Sequence, residues 1–458
     1  MKVIVCGAGE VGYNIAQHLS AEEIDVTLID TSLERIEKAA ASSDIQTLVG
    51  YAPHPNVLEQ GGATDAEMLI AVTESDETNI ITCEIASILF NITTTIARVR
   101  GDAYLRPEWS KLFEEEGLRL ENIISPDEEV TSSLARLVAV PGAHDLISFA
   151  DDKVRLIGIR LDSECPVLHT PLEQLTELFP DLNTRVVLIV RGDNLFVPDK
   201  LAQMKAGDDV YLIADSSKTN RVLTIFGKKI REARRIIIIG GGRIGLGVAN
   251  LLEDSEPNAN ITLVENIKKV AEDASRKLKR TMVLHGDGID RDILEEAGVQ
   301  NADMLIAVTE NDEINTLVCM LSKRSGTLSS VALLNRTGYQ SIIGSLGIDA
   351  AVSPRELTVS RILRHVRRGH VLAVQSLRDG KAEIIEIVAE ETAQVVGKPL
   401  SEINLPIGVA IGAVVREEKV ILPRGNTIIH EGDRVIVFAF RDSVRKLEDL
   451  FAVDIGFF

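Results

Sequence analysis

Short apolar runs alternate with helix-spaced stretches along the first third of the chain. The run 3–5 ends in Gly7-Ala8-Gly9-Glu10-Val11-Gly12, and beyond it Ile15, Ala16 and Leu19 recur at helical spacing, a pattern that predicts strand, tight turn, helix. The run 25–29 closes at Asp30, helix-like residues fill 33–41, and the run 45–49 closes at Gly50. Residues 68–72 form another apolar strand, and the polar stretch 73–78 caps a helix carrying Ile80, Ile81, Cys83 and Ile85. Strands at 94–99 and from Glu121 to 124 bring the number to six, and Ser125-Pro126 opens a helix running to Val140, where Pro141-Gly142 stops it. Strands separated by helices imply a parallel, doubly wound sheet.

The same order then returns. The run 236–239 leads into Gly240-Gly241-Gly242-Arg243-Ile244-Gly245, 261–264 into Glu265, 282–284 into His285-Gly286, then 304–308 and Ser353-Pro354. Residues 68–74 and 304–310 are the identical string MLIAVTE, 236 positions apart (304 minus 68) in a chain of 458. A whole module is therefore duplicated rather than a short solenoid unit. The second Ser-Pro follows the first by 228 positions (353 minus 125), so eight residues are missing from loops of the second copy.

After each module comes a different pattern of short alternating strands and Gly-Asp turns. Residues 191–214 and 416–439 match without a gap, aligning Pro198 with Pro423, Gly207 with Gly432 and Asp208 with Asp433. The expected fold is α/β, with two tandem Rossmann-like doubly wound parallel-sheet lobes, each followed by a small α+β lobe. The expected boundaries are 1–140, 141–227, 228–368 and 369–458.

Charge narrows the partners. Lys and Arg total 49 against 69 Asp and Glu, a formal charge of -20, and such a surface repels phosphate backbones and anionic lipid, so nucleic acid is not an expected partner. Within it, Lys228, Lys229, Arg231, Arg234 and Arg235 make a basic linker, either a solvated connector or a contact for an acidic partner. Cys6, Cys83, Cys165 and Cys319 are scattered, with no metal-ligand spacing, so they read as small buried hydrophobes in a reducing compartment and no zinc site is expected. The N-terminus lacks the pattern of a signal peptide and no apolar run is long enough to span a bilayer. The expectation is a cytoplasmic chain whose membrane connections come through a partner.

The repeated glycines carry the chemistry. Gly7, Gly9 and Gly12, like Gly240, Gly242 and Gly245, follow a strand and open a helix, the context in which such glycines admit a pyrophosphate to unpaired helix amides. Asp30 lies 18 residues after Gly12 and Glu265 lies 20 after Gly245, where a carboxylate accepts bonds from ribose hydroxyls and repels a 2′-phosphate. NAD(H) or another adenine nucleotide is thus favoured over NADP(H), unless Arg35 and Lys268 reach the site and soften that preference. A degenerate turn that binds nothing is the competing reading. Thr73, Glu74, Thr309 and Glu310 belong at the carboxyl edge of the sheet, beside the glycine loop. Arg98 and Arg100 end the fifth strand, where a guanidinium meets a phosphate or a carboxylate. Leu333 stands opposite Arg98 in the second copy, so the two sites are expected to differ. No tyrosine has Lys four residues on, His18 and His54 lack counterparts in the second half while His285 faces Leu48 or Val49 in the first, and neither Gly227-Lys228 nor Gly397-Lys398 has the upstream glycine of a Walker A loop. Nucleotide sites are present without an evident second-substrate site.

Taken together, Gly7 to Gly12 with Asp30, the MLIAVTE strand with Ser75-Asp76-Glu77-Thr78-Asn79, Arg98, Ser125-Pro126 and their partners in the second half resemble the RCK (KTN) regulators of potassium transport in their duplicated form. The resemblance covers essentially the whole chain. It implies that the small lobes are RCK C-terminal lobes. It also implies a non-enzymatic regulatory subunit that assembles as a homo-oligomer, a tetrameric ring, on the inner face of a Trk-type membrane potassium transport subunit. NAD(H), with ATP or ADP as competing ligands, would alter ring shape and pore opening. Carried over residue by residue, the first site is Gly7, Ala8, Gly9, Glu10, Val11, Asp30, Thr73, Glu74 and Arg98; the second is Gly240, Gly241, Gly242, Arg243, Ile244, Glu265 and Thr309. An NAD-dependent oxidoreductase with unrecognised catalytic residues, and a regulator of a different cation channel or efflux system, remain as alternatives.

Overall fold

The structure, a computed structural model, describes residues 1–42, 44–105, 108–109, 120, 122–179, 182–228, 232–336, 342–367, 369–378 and 380–452. Its first sheet holds β1 (Lys2–Cys6), β2 (Asp25–Asp30), β3 (Gln46–Val49), β4 (Met68–Ala71), β5 (Thr94–Arg98) and β6 (Asn122–Ile124) in the order β3-β2-β1-β4-β5-β6. Every neighbour is parallel. Helices cover both faces of such a sheet, so its strands read as continuous apolar runs, and Val3, Ile4, Val5 and Cys6 are all fully buried. The sixth strand is expected from Glu121, which lies outside the described residues; the described strand starts at Asn122. The MLIAVTE strand β4 pairs with β1, Cys6 opposite Ala71, which sets Thr73 beside the glycine loop.

Beyond this sheet the chain forms β7 (Asp145–Phe149), β8 (Val154–Arg160), β9 (Thr184–Arg191), β10 (Asn194–Phe196) and β11 (Asp209–Asp215), then β12 (Arg235–Ile239), β13 (Asn260–Glu265), β14 (Met282–His285), β15 (Met304–Ala307), β16 (Ser329–Leu333) and β17 (Ala350–Val352). The last five-stranded set is β18 (Val371–Leu377), β19 (Ala382–Val388), β20 (Val409–Arg416), β21 (Lys419–Ile421) and β22 (Arg434–Phe440). The order β14-β13-β12-β15-β16-β17 repeats the first sheet strand for strand. The two antiparallel sheets, β10-β9-β11-β8-β7 and β18-β19-β22-β20-β21, likewise share one order.

These antiparallel sheets do not keep separate cores. Phe149, Leu156, Tyr211 and Ile213 of one pack in a single apolar cluster with Leu377, Ile384, Ala413 and Phe438 of the other. Close approach is possible at Gly412, where a Cβ would lie 2.0 Å from Ile213 Cδ1. Around this seam Arg378 meets Asp209 at 2.6 Å, Arg434 meets Asp151 at 2.5 Å, and Lys153 pairs with Glu418.

The compact units are Met1–Asp127 with Arg355–Leu363, and Glu128–Pro354 with Arg364–Phe458. Most of the helix Pro126–Ala139 belongs to the second unit, where a Cβ on Gly247 would come within 2.9 Å of Thr131 Oγ1. The helix Pro354–Val366 lends its middle to the first unit, where Arg355 Nη1 lies 3.5 Å from Glu10 Oε2. Periodicity marks such helices but does not say which sheet they cover. Just past the latter helix, buried Arg367 makes a bidentate pair with Glu383 at 2.6 and 3.1 Å.

Among the helices that the pattern did not mark are Pro55–Gln60 and Arg291–Glu296, each six residues long and so under two turns. All four cysteines are free and buried. In the basic linker Lys228 pairs with Asp162, Arg234 with Glu232 and Arg235 with Asp303, while Lys229 and Arg231 lie outside the described residues. Charges already neutralised this way favour the solvated connector over an acidic partner. No helix among the described residues is long and apolar enough to cross a membrane.

Candidate functional site

Gly7 leaves β1 at a φ of +106°, and Gly240 leaves β12 at +105°, backbone that a side chain strains. Each turns the chain onto a helix, Glu10–Ala21 or Arg243–Ser255. A Cβ on Gly12 would sit 1.8 Å from the Gly7 carbonyl oxygen, and one on Gly245 1.9 Å from that of Gly240. The third glycine is thus where helix and turn touch. By contrast, a Cβ on Gly9 or Gly242 would meet nothing within 4 Å. That open shelf adjoins an uncapped helix start: neither Gly9 nor Gly242 caps with a side chain, and the first amides to bond back are Tyr13 to Gly9 O and Leu246 to Gly242 O, both at 2.9 Å. Helix-start N–H groups of that kind suit an anion.

The carboxylate after the second strand is tied to the turn in both copies. Asp30 accepts from Ala8 N at 2.6 Å and Ser32 N at 2.8 Å; Glu265 accepts from Gly241 N at 2.6 Å and Ile267 N at 2.7 Å. Glutamate is one methylene longer, and the residue facing it is one methyl smaller. A Cβ on Gly241 would press to 3.1 Å against Glu265 Cβ, so Gly241 with Glu265 replaces Ala8 with Asp30 as a pair.

At the other side of the cleft, Thr73 N–H and hydroxyl donate to Asn79 Oδ1 at 2.8 and 2.7 Å, and Thr309 repeats this with Asn315 at 2.9 and 2.6 Å. The amide nitrogen of Asn79 donates to Thr73 O and Arg98 O, and that of Asn315 to Thr309 O and Leu333 O. One fully buried asparagine thereby ties the ends of two strands. Its positioning role escapes sequence reasoning, although Asn79 and Asn315 share the 236-residue offset (315 minus 79).

Arg98 is 6 % exposed and donates from Nη2 to Thr73 O at 2.7 Å. Burial, with Arg100 adding repulsion, draws its guanidinium down to about 10, still a cation at neutral pH. Leu333 offers only a buried alkyl group there. Glu10, Val11, Arg243 and Ile244 open the two helices; the Glu10 side chain is turned to Arg355, so its contribution to an anion site would be its backbone amide. Glu74 is exposed and meets Arg35 at 3.4 Å. Glu310 and Arg243 are exposed as well. His54 precedes the helix Pro55–Gln60, and exposed His285 bonds the Asn266 carbonyl.

An open glycine shelf, helix-start amides, a ribose-type carboxylate and, in the first cleft, a buried cation fit an adenine dinucleotide or nucleotide. Models of the TrkA-N domain match residues 3–126 and 236–354, and those of the TrkA-C domain match 156–239 and 384–452. The Trk system potassium uptake protein TrkA of Azorhizobium caulinodans is 44 % identical over 458 residues, the full length of both chains. The chain belongs to the TrkA family. The TrkA of Vibrio alginolyticus is 38 % identical, with 98 % of each chain covered. Among solved structures, the GsuK channel superposes with a TM-score of 0.61 at 16 % identity, covering 98 % of this chain and 78 % of its own; the GsuK channel bound to NAD gives 0.59 with the same identity and coverage. At that identity the likeness shows the RCK fold alone. This TrkA-family chain is thus a tandem of two Rossmann-like lobes, each followed by a small antiparallel lobe.

Proposed function

We propose that the chain is a nucleotide-sensing regulatory subunit of a Trk-type potassium uptake system, cytoplasmic and peripheral on the inner face of the membrane, that gates a membrane transport subunit without catalysing a reaction. The observation that carries this reading is the doubled cleft, a glycine shelf with its carboxylate and threonine wall repeated within one TrkA-family chain. In the first, the amides of Gly9, Glu10 and Val11 would hold a pyrophosphate, Asp30 the adenosine ribose, and Thr73, Glu74 and Arg98 the opposite wall, with Gly7 and Ala8 forming the turn. In the second, Gly242, Arg243 and Ile244 take the phosphate, Glu265 the ribose and Thr309 the wall, with Gly240 and Gly241 as turn. NAD(H) is the proposed ligand, with ATP or ADP competing; the GsuK channel bound to NAD supports a nucleotide on this fold. The repeat units are the four segments 1–140, 141–227, 228–368 and 369–458, and the assembly is a homotetrameric ring.

Such a sensor works by differential affinity. A ligand preferring one ring state tenfold shifts the equilibrium by about 1.4 kcal/mol per site, and duplication supplies two terms per chain. The test is potassium flux through the co-purified membrane subunit in vesicles while NAD, NADH, ADP and ATP are exchanged. Flux indifferent to all four sinks the sensor reading. Steady oxidation of NADH by the purified chain with carbonyl compounds would instead favour an oxidoreductase.

A further inference from the structure

The two clefts differ in one element that lies over the ligand path. Arg35 sits in the helix Leu33–Ser42 after β2, and Glu74 in the loop after β4. Because β2 and β4 flank β1, a bond between them spans the glycine turn that leaves β1. Arg35 Nη2 reaches Glu74 Oε1 at 3.4 Å, while Nη1 lies 3.9 Å from Asp30 Oδ2. Both Asp30 oxygens are already engaged by the amides of Ala8 and Ser32. The guanidinium thus stands between the ribose carboxylate Asp30 and the wall residue Glu74.

The second cleft lacks this strap. Counting from Glu265 as from Asp30, the position of Arg35 falls on Val270 (265 plus 5), while Glu310 keeps the place of Glu74. The Arg35–Glu74 pair is weak: Arg35 is 48 % and Glu74 85 % exposed, and water screens ion pairs of that kind. A polyphosphate brought onto the shelf carries more charge than one carboxylate and competes for the same guanidinium.

We propose that Arg35 is a specificity-determining residue of the first cleft, exchanging Glu74 for the phosphates of a bound nucleotide, and that it biases this cleft towards nucleoside polyphosphates over dinucleotides. The inference rests on the nucleotide-sensing reading. Glu74 is a counter-charge held in reserve, and the second cleft, with Val270, has no such bias.

Its test uses the full chain with the second shelf blocked by Gly242→Val, and titration calorimetry with ATP and with NADH. Arg35→Val is expected to weaken ATP binding about threefold to fivefold and Glu74→Gln to strengthen it by a similar factor. NADH should change less in both variants, and both effects should fade in about 1 M salt. Equal affinities in all three proteins, or shifts of the same sign in both variants, would overturn the exchange. So would a Gly242→Val chain that binds NADH but no ATP. If the unmodified chain binds neither ligand, the nucleotide-sensing reading falls with it, an outcome distinct from normal binding that ignores Arg35.

Discussion

A methyl group added at Gly12 would lie 1.8 Å from the Gly7 carbonyl oxygen, whereas one at Gly9 would meet nothing within 4 Å. Gly12→Ala must therefore push the helix Glu10–Ala21 off its turn, and we expect a loss of about 3 kcal/mol or more in urea unfolding. Gly9→Ala, at a φ of -68°, should cost under about 1 kcal/mol, yet abolish the rise in melting temperature that nucleotide gives the first cleft. A Gly9→Ala protein that keeps the full ligand shift would contradict the shelf. These glycines, with Asp30 and Glu265, were legible because their chemistry is local: turn, helix start and carboxylate fall within about 25 residues, as the dinucleotide fingerprint requires. Arg98 was legible as a cation but not as a buried one, since its partner Thr73 is 25 residues away (98 minus 73) and meets it only through the pairing of β4 with β5. Asn79 was legible as part of the stretch Ser75-Asp76-Glu77-Thr78-Asn79 that carries the resemblance, but not as the tie between two strand ends. A single amide on an apolar helix looks the same in sequence whether it faces solvent or a strand end.

At the scale of elements, Asn79 and Asn315 each hold two strand ends through four bonds of like length. Replacing either by alanine leaves buried carbonyls and an amide unpaired. A loss of about 2–3 kcal/mol is expected, and it should be equal for the two within roughly 0.5 kcal/mol even if the clefts take different ligands. Strand and helix order could be read along the chain because each apolar run is short and closed by a glycine or an acid. Contacts made by the faces of those elements could not. The seam between β7, β11 and the end of β18 shows this: burial pushes the Asp145 carboxyl up to about 6, against the pull of Arg378, and draws the His144 imidazole down to about 4. Tyr211 bonds Asp145, and Asp209, Arg160 and Lys228 complete the charges around the two. The raised Asp145 contributes stability below its unfolded value near 3.8, lost as pH rises through 6. The depressed His144 contributes stability above 6.5, lost as pH falls towards 4. At about 1.4 kcal/mol per pH unit, the two oppose each other over most of that window. Asp145→Asn should therefore lose roughly 3 kcal/mol between pH 6.5 and 4 in urea melts, and His144→Gln should gain roughly as much between pH 6 and 4, with the unmodified chain between them.

For the molecule as a whole, duplication of sequence has not produced two independent halves. The first compact unit needs Arg355–Leu363 from beyond residue 227, and the second begins at Glu128. More decisive is the shared core, in which Phe149, Val154, Leu156, Val187, Leu188 and Ile213 pack with Ala382, Ile384, Ala410, Ile436 and Phe438. Cutting the chain at residue 227 would leave the sheet β10-β9-β11-β8-β7 with its inner face in water, and a continuous apolar face of that kind drives association. The two antiparallel sheets have the same strand order, so a second copy of the fragment can offer a face of the same architecture. We therefore expect fragment 1–227 to sediment as a homodimer or larger species and never as a monomer, and a 1:1 complex to form when 228–458 is co-expressed with it. Arg378–Asp209 and Arg434–Glu386–Asp151 favour the mixed complex. In a homodimer of 1–227 Asp209 would lose Arg378, keeping Arg160 at 3.9 Å, and Asp151 would lose Arg434. Light scattering on the separate and mixed fragments decides it: a monomeric, fully folded 1–227 would mean that the shared core contributes little. A mixed complex that displaces the homodimer would show that the repeats diverged to recognise each other rather than themselves.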